Sequence, residues 1–86
     1  MYNNMKFKII DILDNITLQK KEDEFHSSMI SREIIVDLLE EDLPMYLSFV
    51  HIEKYIKTTK VEKIIAENNI VTIKTKNSSY ILKKIK

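Results

Sequence analysis

The sequence predicts one α+β domain over residues 1–86, in which an antiparallel sheet of four to six strands packs against one amphipathic helix. Three observations lead to this fold class. The last third of the chain alternates apolar and polar residues between Asn-bearing turns, which is typical of antiparallel strands. Residues 28–41 place apolar residues at helical spacing. With 86 residues and no Cys, the chain must rely on one small core without disulfides.

The N-terminal segment is open to two interpretations. Residues 6–13 and 16–21 predict a hairpin around Asp14-Asn15. A helix is the alternative, because Ile9, Ile10, Leu13 and Ile16 would lie on one side of it. Residues 22–27 form a polar link.

Residues 28–41 have the clearest helical pattern in the chain. The apolar residues of this segment fall on one stripe: Met29, Ile30, Ile34, Ile35, Leu38 and Leu39. Ser28 or Ser31 can cap the N-terminus, and Pro44 prevents the helix from continuing. Acids in the last turns would oppose the helix dipole, which indicates another use for them.

Residues 45–57 suit either a helix or a strand. A helical stripe is formed by Met45, Phe49, Ile52 and Ile56. The Tyr, Phe, Val and Ile content favours a strand over residues 47–57. Tyr46, Phe49 and Tyr55 would make an aromatic ligand wall if they were exposed, but in so small a domain we expect them in the core.

The C-terminal third predicts a three-strand meander over residues 61–66, 70–76 and 79–85. Two-residue turns at Asn68-Asn69 and Asn77-Ser78 independently place the same residues on one face. The predicted core face comprises Ile64, Ala66, Val71, Ile73, Tyr80 and Leu82. The opposite face comprises Lys63, Ile65, Thr72, Lys74, Lys76, Ile81, Lys83 and Ile85. This second face is cationic but half apolar, so it is either partly covered or used for contact.

The composition argues against an enzyme. The chain has no Gly, which excludes phosphate-cradling loops and dinucleotide-binding turns, because both need Gly for close backbone approach. His26 and His51 are the only histidines, and neither has the local spacing of a metal ligand pair or of a nucleophile and its base. We therefore expect no catalytic residues, no metal and no cofactor.

The charges are divided between the two parts of the chain. Residues 54–86 hold nine Lys and two Glu, a net charge of +7, whereas residues 1–53 carry −6. Residues 22–53 alone carry −8, a density that would suit docking into the basic nucleic-acid groove of another protein. The acids expected to make that contact are Glu22, Asp23, Glu24, Asp37, Glu40, Glu41 and Asp42. The alternative is phosphate binding by Lys63, Lys74, Lys76, Lys83 and Lys84.

The last predicted hairpin carries a short pattern, T-x-N-S-x-Y-x-L, formed by Thr75, Asn77, Ser78, Tyr80 and Leu82. It resembles the strand–turn–strand ending of small bacterial, phage and mobile-element proteins. In size and composition the chain is also similar to compact non-enzymatic inhibitors from such sources, anti-CRISPR proteins among them. The resemblance implies no enzymatic activity.

The leading hypothesis is a non-enzymatic protein that binds another protein through its acidic surface and inhibits a host nucleic-acid-handling complex. Two alternatives are a weak nucleic-acid binder that uses the Lys residues, and self-assembly of the acidic part of one copy with the basic part of the next. We expect a cytoplasmic location without membrane association. The N-terminus lacks the pattern of a signal peptide, and no apolar run reaches the length of a membrane span.

Overall fold

Six antiparallel strands close into a barrel in the computed structural model of this chain, which describes residues 4–85. The strands are β1 Met5–Asp14, β2 Glu33–Leu38, β3 Pro44–Phe49, β4 Tyr55–Glu67, β5 Ile70–Thr75 and β6 Ser78–Lys84. One short helix, α1 Glu24–Ser27, lies between β1 and β2. Each strand pairs with the next along the chain, and β6 pairs with β1 to close the barrel. Because the barrel is closed, the surfaces that face solvent are its outer face and its loops.

The predicted α+β fold is wrong, because the segment expected to be its amphipathic helix, residues 28–41, contains strand β2 instead. Ile34 and Val36 are fully buried, whereas Asp37 points outward, as the two-residue period of a strand requires. The consecutive β-branched residues of this segment favour a strand because their χ1 angles are restricted. Ser31 has a φ of 68°, in the left-handed region, so a right-handed helix cannot continue through this residue before β2.

Of the two interpretations of the N-terminal segment, the strand is confirmed for β1 and the helix is wrong. The returning half of the predicted hairpin makes one isolated bridge, Leu13 with Lys20. It is held against β1 by two further backbone hydrogen bonds, Asp14 N–H to Gln19 O at 2.9 Å and Lys21 N–H to Ile12 O at 2.9 Å.

The strand predicted over residues 47–57 is confirmed only at its two ends, which belong to β3 and β4, and the helical alternative is wrong. The extended segment is divided by a turn after Phe49, whose N–H donates to Lys54 O at 3.0 Å. β4 then runs for 13 residues and pairs first with β3 and then with β5. An irregularity between Val61 and Lys63 lets this long strand change partners.

The predicted meander is confirmed as β4, β5 and β6, and Ile64 pairs with Ile73 as the sequence indicates. The second turn lies one residue earlier than predicted, so Ile73 pairs with Tyr80. A register change of two residues leaves the same side chains on the core face. Val71, Ile73, Tyr80 and Leu82 are accordingly buried, whereas Ile64 is half-buried and Ala66 is exposed near the end of β4.

The barrel interior is filled by apolar side chains from all six strands and from the adjoining loops. This core contains Phe7, Ile9, Ile12, Met29, Ile34, Val36, Leu39, Met45, Leu47, Phe49, Val61, Val71, Ile73, Tyr80 and Leu82. Because the diameter of a barrel grows with the number of its strands, a barrel of six strands has room only for its own side chains. Burial raises the pKa of the Tyr80 phenol, with a smaller contribution from the negative charge of Asp23.

Asn15 ties the loop after β1 to the turn between β5 and β6. The Asn15 side-chain amide donates to Thr75 O at 2.6 Å and to Ser78 O at 3.2 Å, and Ser79 Oγ donates to its carbonyl oxygen. Within the turn, Thr75 Oγ1 accepts from Ser78 N–H at 3.2 Å and donates to Ser78 O at 3.1 Å. The Thr and Ser of the T-x-N-S pattern thus have a structural role in forming the turn.

Candidate nucleic-acid interface

Lysine side chains face one another across neighbouring strands on the outside of the barrel. Lys63 on β4 lies directly opposite Lys74 on β5, and Lys83 on β6 lies directly opposite Lys8 on β1. Residues in such register have Cβ atoms about 4.5–5.5 Å apart, and like charges in these positions destabilise a sheet. Within residues 4–85, none of these four side chains has a carboxylate oxygen within 4.0 Å of its ammonium group. No close ion pair within this part of the chain neutralises these ammonium groups, so an external anion would lower the repulsion between them.

The two lysine pairs differ in their surroundings. Lys8 also has Glu33 opposite it on β2, although the Glu33 carboxylate lies 4.0 Å from Lys6 Nζ and 3.8 Å from His51 Nε2. Lys74 has Ser79 on its other side. The positive charge of the Lys63–Lys74 pair therefore has no carboxylate opposite it on the next strand, and this pair is the less compensated of the two.

A groove of about 420 Å³ adjoins this less compensated pair. Its lining consists of Asn15, Leu18, Glu62, Lys63, Lys74 and Lys76. Three of these six residues are lysines and one is a carboxylate, so the groove is cationic. Together, Lys8, Lys63, Lys74, Lys76 and Lys83 are called the Lys face below.

An apolar row crosses the Lys face between its two ends. Ile65, Thr72 and Ile81 are consecutive partners on β4, β5 and β6, and Ile65 is 37% exposed. Lys83 lies four positions after Ser79, the partner of Lys74, so the two lysine pairs are separated by roughly 13 Å along β6. The structure therefore brings together four of the five predicted lysines. Lys84 alternates to the other side of β6 and is exposed at the end of that strand.

The predicted acidic contact residues do not form one patch. Glu22, Asp23 and Glu24 lie at the start of α1, beside the turn between β3 and β4, where Lys54 Nζ is 5.5 Å from the centre of the Phe25 ring. The other cluster, residues 40–42, lies in the loop between β2 and β3, at the opposite end of β3. Six residues of β3 place roughly 17–20 Å between the two clusters. Asp37 lies apart from both, on the outer face of β2, with Ser48 Oγ 3.4 Å from its carboxylate.

Three of the acids also have local structural partners. Asp23 caps α1 by accepting from His26 N–H at 3.1 Å, and this hydrogen bond is the main cause of its lowered pKa. The Glu41 carboxylate accepts from Ile64 N–H at 3.2 Å. Asp42 lies 4.0 Å from Lys60 Nζ. Some carboxylates of residues 22–53 therefore make contacts within the protein itself.

The expectation that Tyr46, Phe49 and Tyr55 are core residues is confirmed for Phe49 and wrong for the tyrosines, which are 39% and 79% exposed. Both tyrosines border a groove of about 460 Å³ on the outer face of β2, β3 and β4. Lys57, the strand partner of Tyr46, holds its ammonium group 5.7 Å from the centre of that ring. The alternation of Met45, Leu47 and Phe49 was the signal that points Tyr46 outward once β3 is recognised as a strand.

The two histidines lie in separate environments. The Nδ1 atom of His26 is 2.7 Å from the Asp23 carboxylate, whereas Nε2 of His51 is 3.8 Å from Glu33. Among residues 4–85, no group of three or more His, Asp or Glu side chains is arranged to hold a metal ion. The same part of the chain contains no helix of the length and apolar character needed to cross a membrane.

The outer surface thus offers a clustered cationic face, two separate acidic clusters and an exposed pair of tyrosines. Any assignment of function depends on which of these surfaces has the arrangement of a binding site. No protein-family model, curated protein or solved structure matches this chain.

Proposed function

We propose that this chain is a non-enzymatic binding module and that its Lys face binds the phosphates of a nucleic acid. The observation that carries the proposal is the direct opposition of Lys63 and Lys74 on β4 and β5. Two ammonium groups in this position lower the stability of the free protein, and a phosphate between them would remove that cost. The second pair, Lys8 with Lys83, extends the cationic surface beyond the reach of one phosphate.

The expected binding mode is electrostatic and insensitive to sequence. Lysine is a compact point charge, and the Lys face has no Arg with which to read base edges in a bidentate geometry. Each phosphate that a lysine neutralises releases counterions, so the affinity should fall steeply as salt increases.

The proposal is tested by fluorescence anisotropy of labelled single-stranded and double-stranded oligonucleotides between about 50 and 200 mM salt. One variant combines Lys74→Gln, Lys76→Gln and Lys83→Gln. We expect this variant to bind more weakly than the parent. The slope of log K against log salt should become shallower by about 0.7–0.9 for each phosphate that is no longer neutralised.

The matched control neutralises three acids through Glu40→Gln, Glu41→Gln and Asp42→Asn. It should bind at least as tightly as the parent, because it removes negative charge, including the Glu41 carboxylate beside Ile64, and leaves every lysine in place. Equal affinity of the lysine variant and the parent would overturn the proposal.

A second candidate function is inhibition of a host nucleic-acid-handling protein, as expected from the acidic residues and from the resemblance to phage proteins. The observation in its favour is the loop of Glu40, Glu41 and Asp42, which are consecutive and exposed. The barrel holds this loop through Asp42 N–H to Val61 O at 2.8 Å and Val61 N–H to Leu43 O at 2.9 Å. For both candidate functions we propose a cytoplasmic location.

The two candidates make opposite predictions for the same variants. If the acidic loop is the binding surface, a host protein retained by the parent in a pull-down should be lost by the acidic variant and kept by the lysine variant. Retention by the acidic variant would exclude the inhibitor hypothesis for this loop.

A further inference from the structure

We infer that the nucleic acid bound by this chain is single-stranded and that Tyr55 and Tyr46 stack against its bases. The inference rests on the proposed function and extends it from phosphate binding to the class of nucleic acid. It starts from the exposed fractions of the two rings, 79% for Tyr55 and 39% for Tyr46. Aromatic side chains exposed on the outer face of a barrel, beside lysines, are the elements from which single-strand binding surfaces are built.

The two tyrosines lie on adjacent strands at one end of β4. Tyr46 pairs with Lys57, whereas Tyr55 pairs with Ser48 and lies two residues before Lys57 on the same strand. The Lys57 ammonium group is 5.7 Å from the centre of the Tyr46 ring. A base stacked on Tyr46 would therefore carry its phosphate within reach of a positive charge.

β4 connects the tyrosines to the Lys face. Tyr55 and Lys57 lie near its start, Lys60 is exposed at its middle, and Lys63 belongs to the opposed pair described above. From Tyr55 to Lys63 the strand advances about 26 Å. The ion pair of Lys60 with Asp42, at 4.0 Å between exposed side chains, is too weak to withhold that lysine from a phosphate. A strand of nucleic acid following β4 would meet aromatic rings first and clustered lysines next.

The exposed rings favour a single strand over a duplex. A duplex could contact the lysines through its phosphates, but its bases are already stacked in the helix and are not available to the tyrosines. An unpaired strand can use both surfaces at once. The affinity for single strands should therefore exceed that for duplexes of the same length.

The test compares Tyr55→Ala and Tyr55→Phe with the parent in anisotropy titrations of a labelled thymidine single strand and a duplex of equal length. Tyr55→Ala should lower the affinity for the single strand about tenfold and leave the affinity for the duplex unchanged. Tyr55→Phe retains a stacking ring and should keep the parent affinity for both. Because Tyr55 is exposed, circular dichroism should show all three proteins equally folded.

Intrinsic fluorescence gives a second measurement on the same proteins. The chain has four Tyr and no Trp, so quenching by a bound strand reports on tyrosine alone. Addition of the single strand should quench the parent more than Tyr55→Phe, since one stacked tyrosine is missing from the variant.

The outcomes separate the inference from the proposed function. If the parent binds both nucleic acids and Tyr55→Ala binds the single strand as tightly as the parent, the inference is overturned and the phosphate-binding function stands. If the parent binds neither nucleic acid at low salt, the proposed function fails and the inference falls with it.

Discussion

Replacing Lys74 by Glu should stabilise the protein while weakening its binding to nucleic acid. Lys74 lies directly opposite Lys63, so the substitution turns a repulsive cross-strand pair into an attractive one. Each such pair contributes roughly 0.2–1 kcal/mol, and reversing the sign of the interaction should raise the free energy of unfolding by about 0.5–1.5 kcal/mol at low salt. Screening should reduce the gain as the ionic strength rises.

The assay is urea denaturation followed by circular dichroism, in which the midpoint should rise without a change in the slope m. Lys74→Gln removes the repulsion without adding attraction and should give about half of the gain. The double variant Lys63→Glu, Lys74→Glu restores a like-charge pair and should lose the gain. A gain that persists in the double variant, or a loss of stability in Lys74→Glu, would refute the reasoning.

Three further predictions concern the fold itself. Ile73→Ala should cost about 2–4 kcal/mol of unfolding free energy because Ile73 is fully buried in β5; a cost under about 0.5 kcal/mol in chemical denaturation would place it on the outer face. Asn15→Ala should cost about 2–3 kcal/mol, because two carbonyl groups lose their donor; parental stability in the same assay would show that the tie between β1 and the β5–β6 turn is unimportant. Hydrogen bonds from Thr17 and Ile16 N–H lower the pKa of Asp14, so its contribution to stability is present above the ordinary aspartate pKa and is lost as the pH falls through the lowered value. Asp14→Asn keeps an acceptor oxygen but does not titrate, so its thermal midpoint should fall less on acidification than that of the parent; identical acid dependence would contradict this.

The C-terminal strands were predictable from sequence because their turns are short and their side chains alternate. Val71, Ile73 and Leu82 keep the same face even though the second turn is displaced by one residue, since the pairing changes by two. A local pattern is sufficient here because the paired residues are close in sequence.

The residues of β2 could not be assigned in the same way. The apolar residues here come in consecutive runs, Ile34-Ile35-Val36 in β2 and Leu38-Leu39 at its end. Such runs satisfy a helical stripe as well as a strand with an irregularity. The structure has such an irregularity between Val36 and Leu38, where the pairing with β3 changes register. Strict alternation is therefore absent from this segment, and only its long-range pairing with β1 and β3 identifies it as a strand.

The candidate site was predictable in part. Alternation alone indicates that Lys63 and Lys74 share a face. The pairing of Lys8 with Lys83 depends on closure of the barrel between the first and last strands, a contact that no local pattern encodes. The exposure of Tyr55 likewise depends on the turn that separates β3 from β4, so composition alone wrongly favours a place in the core.

The most direct test of the central claim is to map where a nucleic acid contacts the protein. In a two-dimensional NMR titration of the labelled protein with a thymidine single strand at low salt, the shifted backbone amides should cluster on β4, β5 and β6, around Lys63, Lys74 and Lys83. Residues 22–24 should not shift. Unchanged spectra at saturating oligonucleotide, or shifts confined to the two acidic clusters, would contradict the assignment of the Lys face as the binding surface.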